Sequence, residues 1–136
     1  MQRTVCAFIL FASMSLSVPG LSVAAYFEGM EAYRQDDFKT AMREFKASDN
    51  DTKSYYMLGI MFEKGEGTKV DYAEAAEWFR KAAEKGDAAS QYRLGRLYER
   101  GQGVGESREE AIKLYRKSAR QGYANAKLAL KRLEDK

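Results

Sequence analysis

Three arginines are the side chains of this sequence best suited to holding a charged ligand. Arg93, Arg96 and Arg100 stand at i, i+3 and i+7, a spacing that lines them along one face of a helix. Guanidinium groups so arranged could grip an acidic peptide, a carboxylate terminus or anionic lipid headgroups through charge-assisted hydrogen bonds. The plainer alternative is a solvated face on which they meet Glu99 and neighbouring acids, contributing little. A second candidate is apolar. Met57, Ile60 and Met61 follow one helix edge that ends at Lys64, and two adaptable thioethers beside an isoleucine would suit a partner groove if the strip is exposed. If the N-terminal helices cover it, the strip is core instead.

Groups for catalysis are scarce. Glu74 and Glu77 share a helix face, but Glu74 has a better explanation at a helix start. Ser90 and Ser118 have no histidine to activate them, because the chain contains none. That absence also excludes Ser-His-Asp chemistry, His/Cys zinc sites and a histidine pH switch. Glu66 lies between Gly65 and Gly67, the mark of a surface tip, and no dinucleotide or P-loop fingerprint appears. The expectation is a chain that is not an enzyme and carries no cofactor and no metal.

What positions these side chains is a repeat. Segment 54–86 superposes on 90–122 when shifted by thirty-six positions, matching Leu58 to Leu94, Gly59 to Gly95, Gly65 to Gly101, Gly67 to Gly103, Ala75 to Ala111 and Gly86 to Gly122. A fixed period of this size marks stacked supersecondary units. In each unit, apolar spacing of three to four residues predicts two helices, about 53–64 and 72–85 in the first copy. The Gly-x-Gly pairs supply positive-φ positions that stop one helix and turn the chain. Asp71 with Glu74, and Ser107 with Glu110, read as helix caps with capping-box partners. Gly59 and Gly95 sit inside helices, where glycine costs about 1 kcal/mol relative to alanine. They make sense if the paired helix crosses there with no room for a Cβ. Trp78 fits the unit's own packing better than ligand stacking.

A shortened unit precedes these two: Gly29, Ala41 and Phe45 imitate Gly59, Ala75 and Phe79, with Asp37 as a helix cap and no Gly-x-Gly turn. Residues 125–133 match only the first helix of a unit and read as a capping helix, since terminal repeats meet water on one face. The organisation is therefore 26–50 as a degenerate unit, 51–86 and 87–122 as full repeats, and 123–136 as the cap. With so few units, self-association could cover the ends. Where the two copies differ in character, at Tyr55/Gln91, Met57/Arg93 and Ile60/Arg96, packing rules leave room for a binding surface.

The first 25 residues stand apart. Arg3 gives a positive start, Val5 to Val18 carries no charge, Pro19-Gly20 breaks a helix, and Val23-Ala24-Ala25 offers small residues. This is the layout of a secretory signal cleaved after Ala25, and the uncharged run falls short of the roughly 20 residues that span a bilayer. Retention of the segment would instead make a membrane tether. Cleavage would remove Cys6, the only cysteine, and leave a periplasmic or secreted domain without disulfides. With 23 basic and 20 acidic residues interspersed, the charge pattern calls for no nucleic-acid partner.

Leu58-Gly59, Phe62, Gly65, Gly67, Ala75, Trp78, Ala82-Ala83 and Gly86 resemble the Sel-1-like repeat, a relative of the tetratricopeptide repeat. Leu94-Gly95, Tyr98, Gly101, Gly103, Ala111, Ser118-Ala119 and Gly122 repeat the resemblance. It implies an all-α fold, a right-handed α-solenoid of antiparallel helix pairs, from an exported bacterial member of the family. It also implies a scaffold whose concave surface holds a protein or peptide. Some cysteine-rich exported proteins similar to this family bind or hydrolyse β-lactams, an alternative that rests on disulfide-stapled repeats.

Overall fold

The computed structural model describes residues 19–135. Those residues form seven helices: α1 Pro19–Arg34, α2 Phe38–Ala47, α3 Thr52–Lys64, α4 Tyr72–Glu84, α5 Ala88–Arg100, α6 Arg108–Arg120 and α7 Ala124–Glu134. Neighbouring helices pack in sequence order, the tightest pairs being α1 with α2, α3 with α4 and α5 with α6. The result is an α-solenoid of helix pairs, with α7 following the third pair in the position of a first helix.

Helix starts follow the side chains that can accept from a free backbone N–H. Asp71 accepts from Glu74 N at 3.0 Å, Ser107 from Glu110 N at 3.2 Å and Asp37 from Thr40 N at 3.1 Å. Two further caps have no place in the sequence reading: Asp51 before α3 and Asp87 before α5. Each carboxylate accepts both the backbone N–H and the hydroxyl of a serine three residues on, Ser54 at 2.7 and 2.7 Å and Ser90 at 2.8 and 2.5 Å. Both serines are fully buried.

Each internal glycine is filled by an aromatic ring. A Cβ on Gly59 would lie 2.5 Å from the Phe79 ring, one on Gly29 2.7 Å from Phe45 and one on Gly95 2.8 Å from Tyr115. Removing the Cβ lets the second helix of a pair press its ring onto the first. Burying such a ring contributes about 2 kcal/mol. The Gly-x-Gly turns do more than end helices. Gly103 has φ 70, and a Cβ there would collide with the Tyr72 backbone at the start of α4. Gly67 meets the Phe38 backbone at the start of α2 in the same way. Each turn is therefore also a joint to the preceding pair.

The core divides into three linked clusters. Ala32, Ala41, Phe45, Leu58 and Met61 join the first pair to α3; Ile60, Phe79, Leu94 and Leu97 join the second pair to α5; Ala111, Tyr115, Ala126 and Leu133 join the third pair to α7. Trp78 packs against the first two clusters, and its ring meets Tyr55 at 5.6 Å.

At the N-terminal end, Pro19 and Gly20 lie within α1, which runs unbroken past Ala25 to Arg34. The rest of the segment read as a secretory signal, residues 1–18, lies outside the described residues, as does Lys136.

Candidate functional site

Polar contacts across the repeats tie α1 to the turn after α3, α3 to α5 and α5 to α7. Tyr33 Oη donates to Glu66 at 2.7 Å, Arg93 meets Glu63 at 2.9 Å and Arg132 meets Glu99 at 2.7 Å. Burial, followed by the bond to the Glu66 carboxylate, pushes the Tyr33 phenol up to about 12. These ties divide the candidate residues into those used for packing and those left open.

The apolar strip belongs to packing. Met61 is fully buried and Ile60 is 5% exposed. Met57 lies half-buried against the first cluster. The strip is thus not an open groove: Met61 is taken up by the N-terminal helices, and Ile60 shares a cluster with Leu94 and Leu97 of the following repeat. Tyr55 stacks on Trp78, accepts from Asn50 N at 2.9 Å and donates to Asp49 at 3.3 Å. Lys81 sits over the Trp78 ring at 4.1 Å. Gln91 is buried, donating to the Ala83 carbonyl at 3.2 Å and accepting from Gln121 at 2.9 Å. It staples the C-terminal ends of α4 and α6 to α5.

The arginine stripe splits. Arg93 is spent on Glu63, in a pair whose side chains are only 26% and 14% exposed. Arg96 and Arg100 instead line a cleft of about 370 Å³ between α5 and α7, together with Tyr92, Glu99, Tyr115 and Arg132. Arg96 lies over the Tyr92 ring at 5.9 Å, and neither Arg96 nor Arg100 is in an ion pair among the described residues. Glu99 is the one acid on the wall, and it is already engaged. It accepts from Tyr115 Oη at 2.6 Å and pairs with Arg132. Burial would raise its carboxyl, but the bonds from Tyr115 and Arg132 outweigh that and hold it below the ordinary value. Burial and the Glu99 carboxylate together drive the Tyr115 phenol well above its usual range.

Arg132 has no place among the sequence candidates, since it lies beyond the two matched copies. Its signal is nonetheless periodic, for it stands thirty-six positions after Arg96. A second cleft of about 230 Å³ adjoins the first and shares Tyr92 and Arg132 with it. Asn125, Leu128 and Ala129 of α7 complete its wall. Leu128 is 67% exposed. The two together make one groove with a cationic end and an apolar end.

A third cleft, between α4, α5 and α6, mixes Arg80, Lys113 and Lys117 with Glu84 and Glu110, so its charges largely compensate. The serines considered for chemistry are structural. Ser90 caps α5 with Asp87, and Ser118 Oγ donates to the Ala88 carbonyl at 2.6 Å. Among the described residues, no cluster of three potential metal ligands occurs and no helix is long and apolar enough to cross a membrane.

Comparison with known proteins agrees with this architecture. The Sel1 repeat pattern matches residues 52–87 and 88–123. A Sel1 repeat protein from Oxalobacter formigenes is similar at 32% identity and a TM-score of 0.74, over 77% of this chain and 44% of that one. The c5321 protein, a protective antigen with an SLR fold present in uropathogenic Escherichia coli strains, is similar at 35% identity and a TM-score of 0.71, over 76% of this chain and 24% of that one. Cysteine rich protein B of Helicobacter pylori shares the fold at 21% identity and a TM-score of 0.63, over 77% and 91% of the two chains. The chain thus spans less than half the length of the first two relatives. No curated protein matches it significantly in sequence.

Proposed function

Because this chain belongs to the Sel1 repeat family, whose members generally mediate protein–protein interactions, we propose that it is an exported adaptor holding a protein or peptide partner in the groove between α5 and α7. The observation that carries this reading is the cleft wall itself. Arg96 and Arg100 line an opening without forming an ion pair among the described residues, while Glu99, the one acid on the wall, is bonded to Tyr115 and Arg132. Unpaired guanidinium groups beside an apolar recess are enriched where partners dock.

Export is supported by the charge-free run Val5 to Val18 and the small residues up to Ala25. It is also supported by what α1 does on either side of that point. Leu21 and Val23 are 71% and 55% exposed, whereas Tyr26 packs on Phe45 at 6.1 Å and lies under Lys53. Cleavage after Ala25 would shorten α1 without removing a packed ring.

Partner capture from the periplasmic fraction tests the adaptor reading. Arg96→Glu with Arg100→Glu is expected to lose the specific partners while the helical circular dichroism and melting temperature stay unchanged. Recovery of the same partners by the double variant would overturn the assignment to this groove. Intact mass of the exported chain reads the N-terminus; a species beginning at Tyr26 is expected, and one retaining residues 1–25 in the membrane fraction would replace the exported adaptor with a tethered one.

A further inference from the structure

We propose that the α5–α7 groove takes a linear peptide segment carrying an acidic side chain beside an apolar one, with the carboxylate at Arg96 and Arg100 and the apolar group against Leu128 and Tyr92. This rests on the adaptor reading and names the chemistry of its partner.

Three differences from the preceding repeat create the site. Where α3 has Ile60, buried in the core, α5 has Arg96 on the cleft wall. Where Lys64 at the end of α3 is answered by Glu66 at 3.6 Å, Arg100 at the end of α5 is followed by Gln102, which carries no charge. Where Phe79 packs with no polar reach, Tyr115 extends a hydroxyl that occupies Glu99. Each step makes the groove more receptive to an anion: one adds a cation, one deletes an acid, and one ties down the acid that remains. With Arg96, Arg100 and Arg132 against Glu99 alone, the wall carries more positive than negative charge. A pair of arginines at i and i+4 suits a carboxylate, which accepts from both planar forks.

The adjoining recess sets the second requirement. Leu128 stands thirty-six positions after Tyr92. It is 67% exposed and lines the adjoining cleft. Its counterparts in the two preceding first helices are each met by a ring: Phe79 meets Tyr56 at 6.0 Å and Tyr115 meets Tyr92 at 5.6 Å. An apolar side chain from a partner would cover Leu128 as those rings cover Tyr56 and Tyr92. The carboxylate belongs to a side chain within the segment, because the groove continues past the cationic end into the apolar one rather than enclosing a terminus. A lipid surface fits less well, since Glu99 forms part of the same wall and an apolar recess adjoins it.

Selection of random peptides displayed as internal segments on phage, with counter-selection on the Arg96→Gln, Arg100→Gln chain, tests this directly. Peptides specific to the native chain are expected to pair Asp or Glu with Leu, Ile or an aromatic residue. Synthetic copies with an amidated C-terminus are expected to bind the double variant about tenfold or more weakly, and Leu128→Ser several-fold more weakly, in fluorescence anisotropy. Enrichment of peptides without acids, equal binding by the double variant, or binding that requires a free C-terminal carboxylate would each overturn the proposal. Arginine-dependent binding to phosphatidylserine vesicles in place of peptides would overturn it too. If natural partners are captured through Arg96 and Arg100 while no acidic–apolar peptide is selected, the adaptor reading stands and this one fails.

Discussion

The seam between α3 and α5 and the groove between α5 and α7 are built from residues thirty-six positions apart, yet one is filled and the other is open. In the first, Ile60 is buried with Leu94 and Leu97, and Glu63 takes Arg93 from the next first helix. In the second, Arg96 stands at the position of Ile60 and lines a cleft, while Glu99, the counterpart of Glu63, takes Arg132. The backbone scheme of α3 and α5 is shared: a ring against the internal glycine, a left-handed glycine closing the helix, an aspartate cap before it. What differs is the side chain at a handful of positions. The repeat thus lets the side chains at one position line a packed seam in one unit and an open cleft in the next without disturbing the scaffold.

Exchanging the two side chains that distinguish the seams gives the largest expected effect. Ile60→Arg places an unpaired charge in a cluster where the native residue is 5% exposed, and should destabilise by about 3 kcal/mol or more. Arg96→Ile faces an open cleft and should change stability by no more than about 0.5 kcal/mol while abolishing capture of an acidic segment. Urea denaturation of both variants reads the asymmetry. Similar losses in the two would mean that the grooves are not differently filled.

Much of this scaffold was legible in the sequence because its causes are local or periodic. Gly59 and Gly95 in helix interiors call for something that takes the place of a Cβ, and the rings of Phe79 and Tyr115 do so. Asp71 and Ser107 announce helix starts by residue type alone. The Asp51–Ser54 and Asp87–Ser90 caps stand at the same period but are masked by residue type, because a serine at 90 invites a question about catalysis before one about capping. The candidate binding residues are harder to read, since burial depends on neighbours that the period does not encode. A change of character from Ile60 to Arg96 reads as surface freedom at both positions, whereas only Arg96 faces an opening. Arg132 escaped notice for the opposite reason: it lies in a partial copy, where a match of two full units does not reach.

A smaller effect is expected from making the third ring like the second. Tyr115→Phe keeps the packing against Gly95 but removes the 2.6 Å bond to Glu99. A hydrogen bond to a charged group contributes about 1.5 kcal/mol, which for a domain of this size lowers the melting temperature by about 5 °C. The loss depends on pH. In the folded chain the Tyr115 and Arg132 bonds hold the Glu99 carboxyl below its ordinary value of 4.5. Such a group contributes stability that is fully present above that value and disappears as pH falls through the lower folded value. The gap between native and Tyr115→Phe chains should therefore be widest near neutrality and narrow below pH 4.5. Melting curves that stay parallel across the acid range would show that the hydroxyl acts on something other than the ionised carboxylate.

The smallest expected change places a single acid near Arg100. Gln102→Glu gives Arg100 the partner that Glu66 gives Lys64, whose ends lie 3.6 Å apart. Stability should move by about 0.5 kcal/mol at most, because an exposed pair gains little over solvated charges, and the backbone N–H of residue 102 keeps its 3.0 Å bond to the Leu97 carbonyl. Binding is where the comparison becomes sharp. A carboxylate covalently fixed beside Arg100 competes with one that must arrive from outside, so affinity for an acidic segment should fall a few-fold at low ionic strength. The difference should shrink as salt screens both charges. The reciprocal Glu66→Gln should leave binding untouched, since Glu66 meets Tyr33 of α1, away from the α5–α7 groove. An effect of Gln102→Glu that persists in high salt, or an equal effect from Glu66→Gln, would mean that charge at the end of α5 is not what sets the two grooves apart.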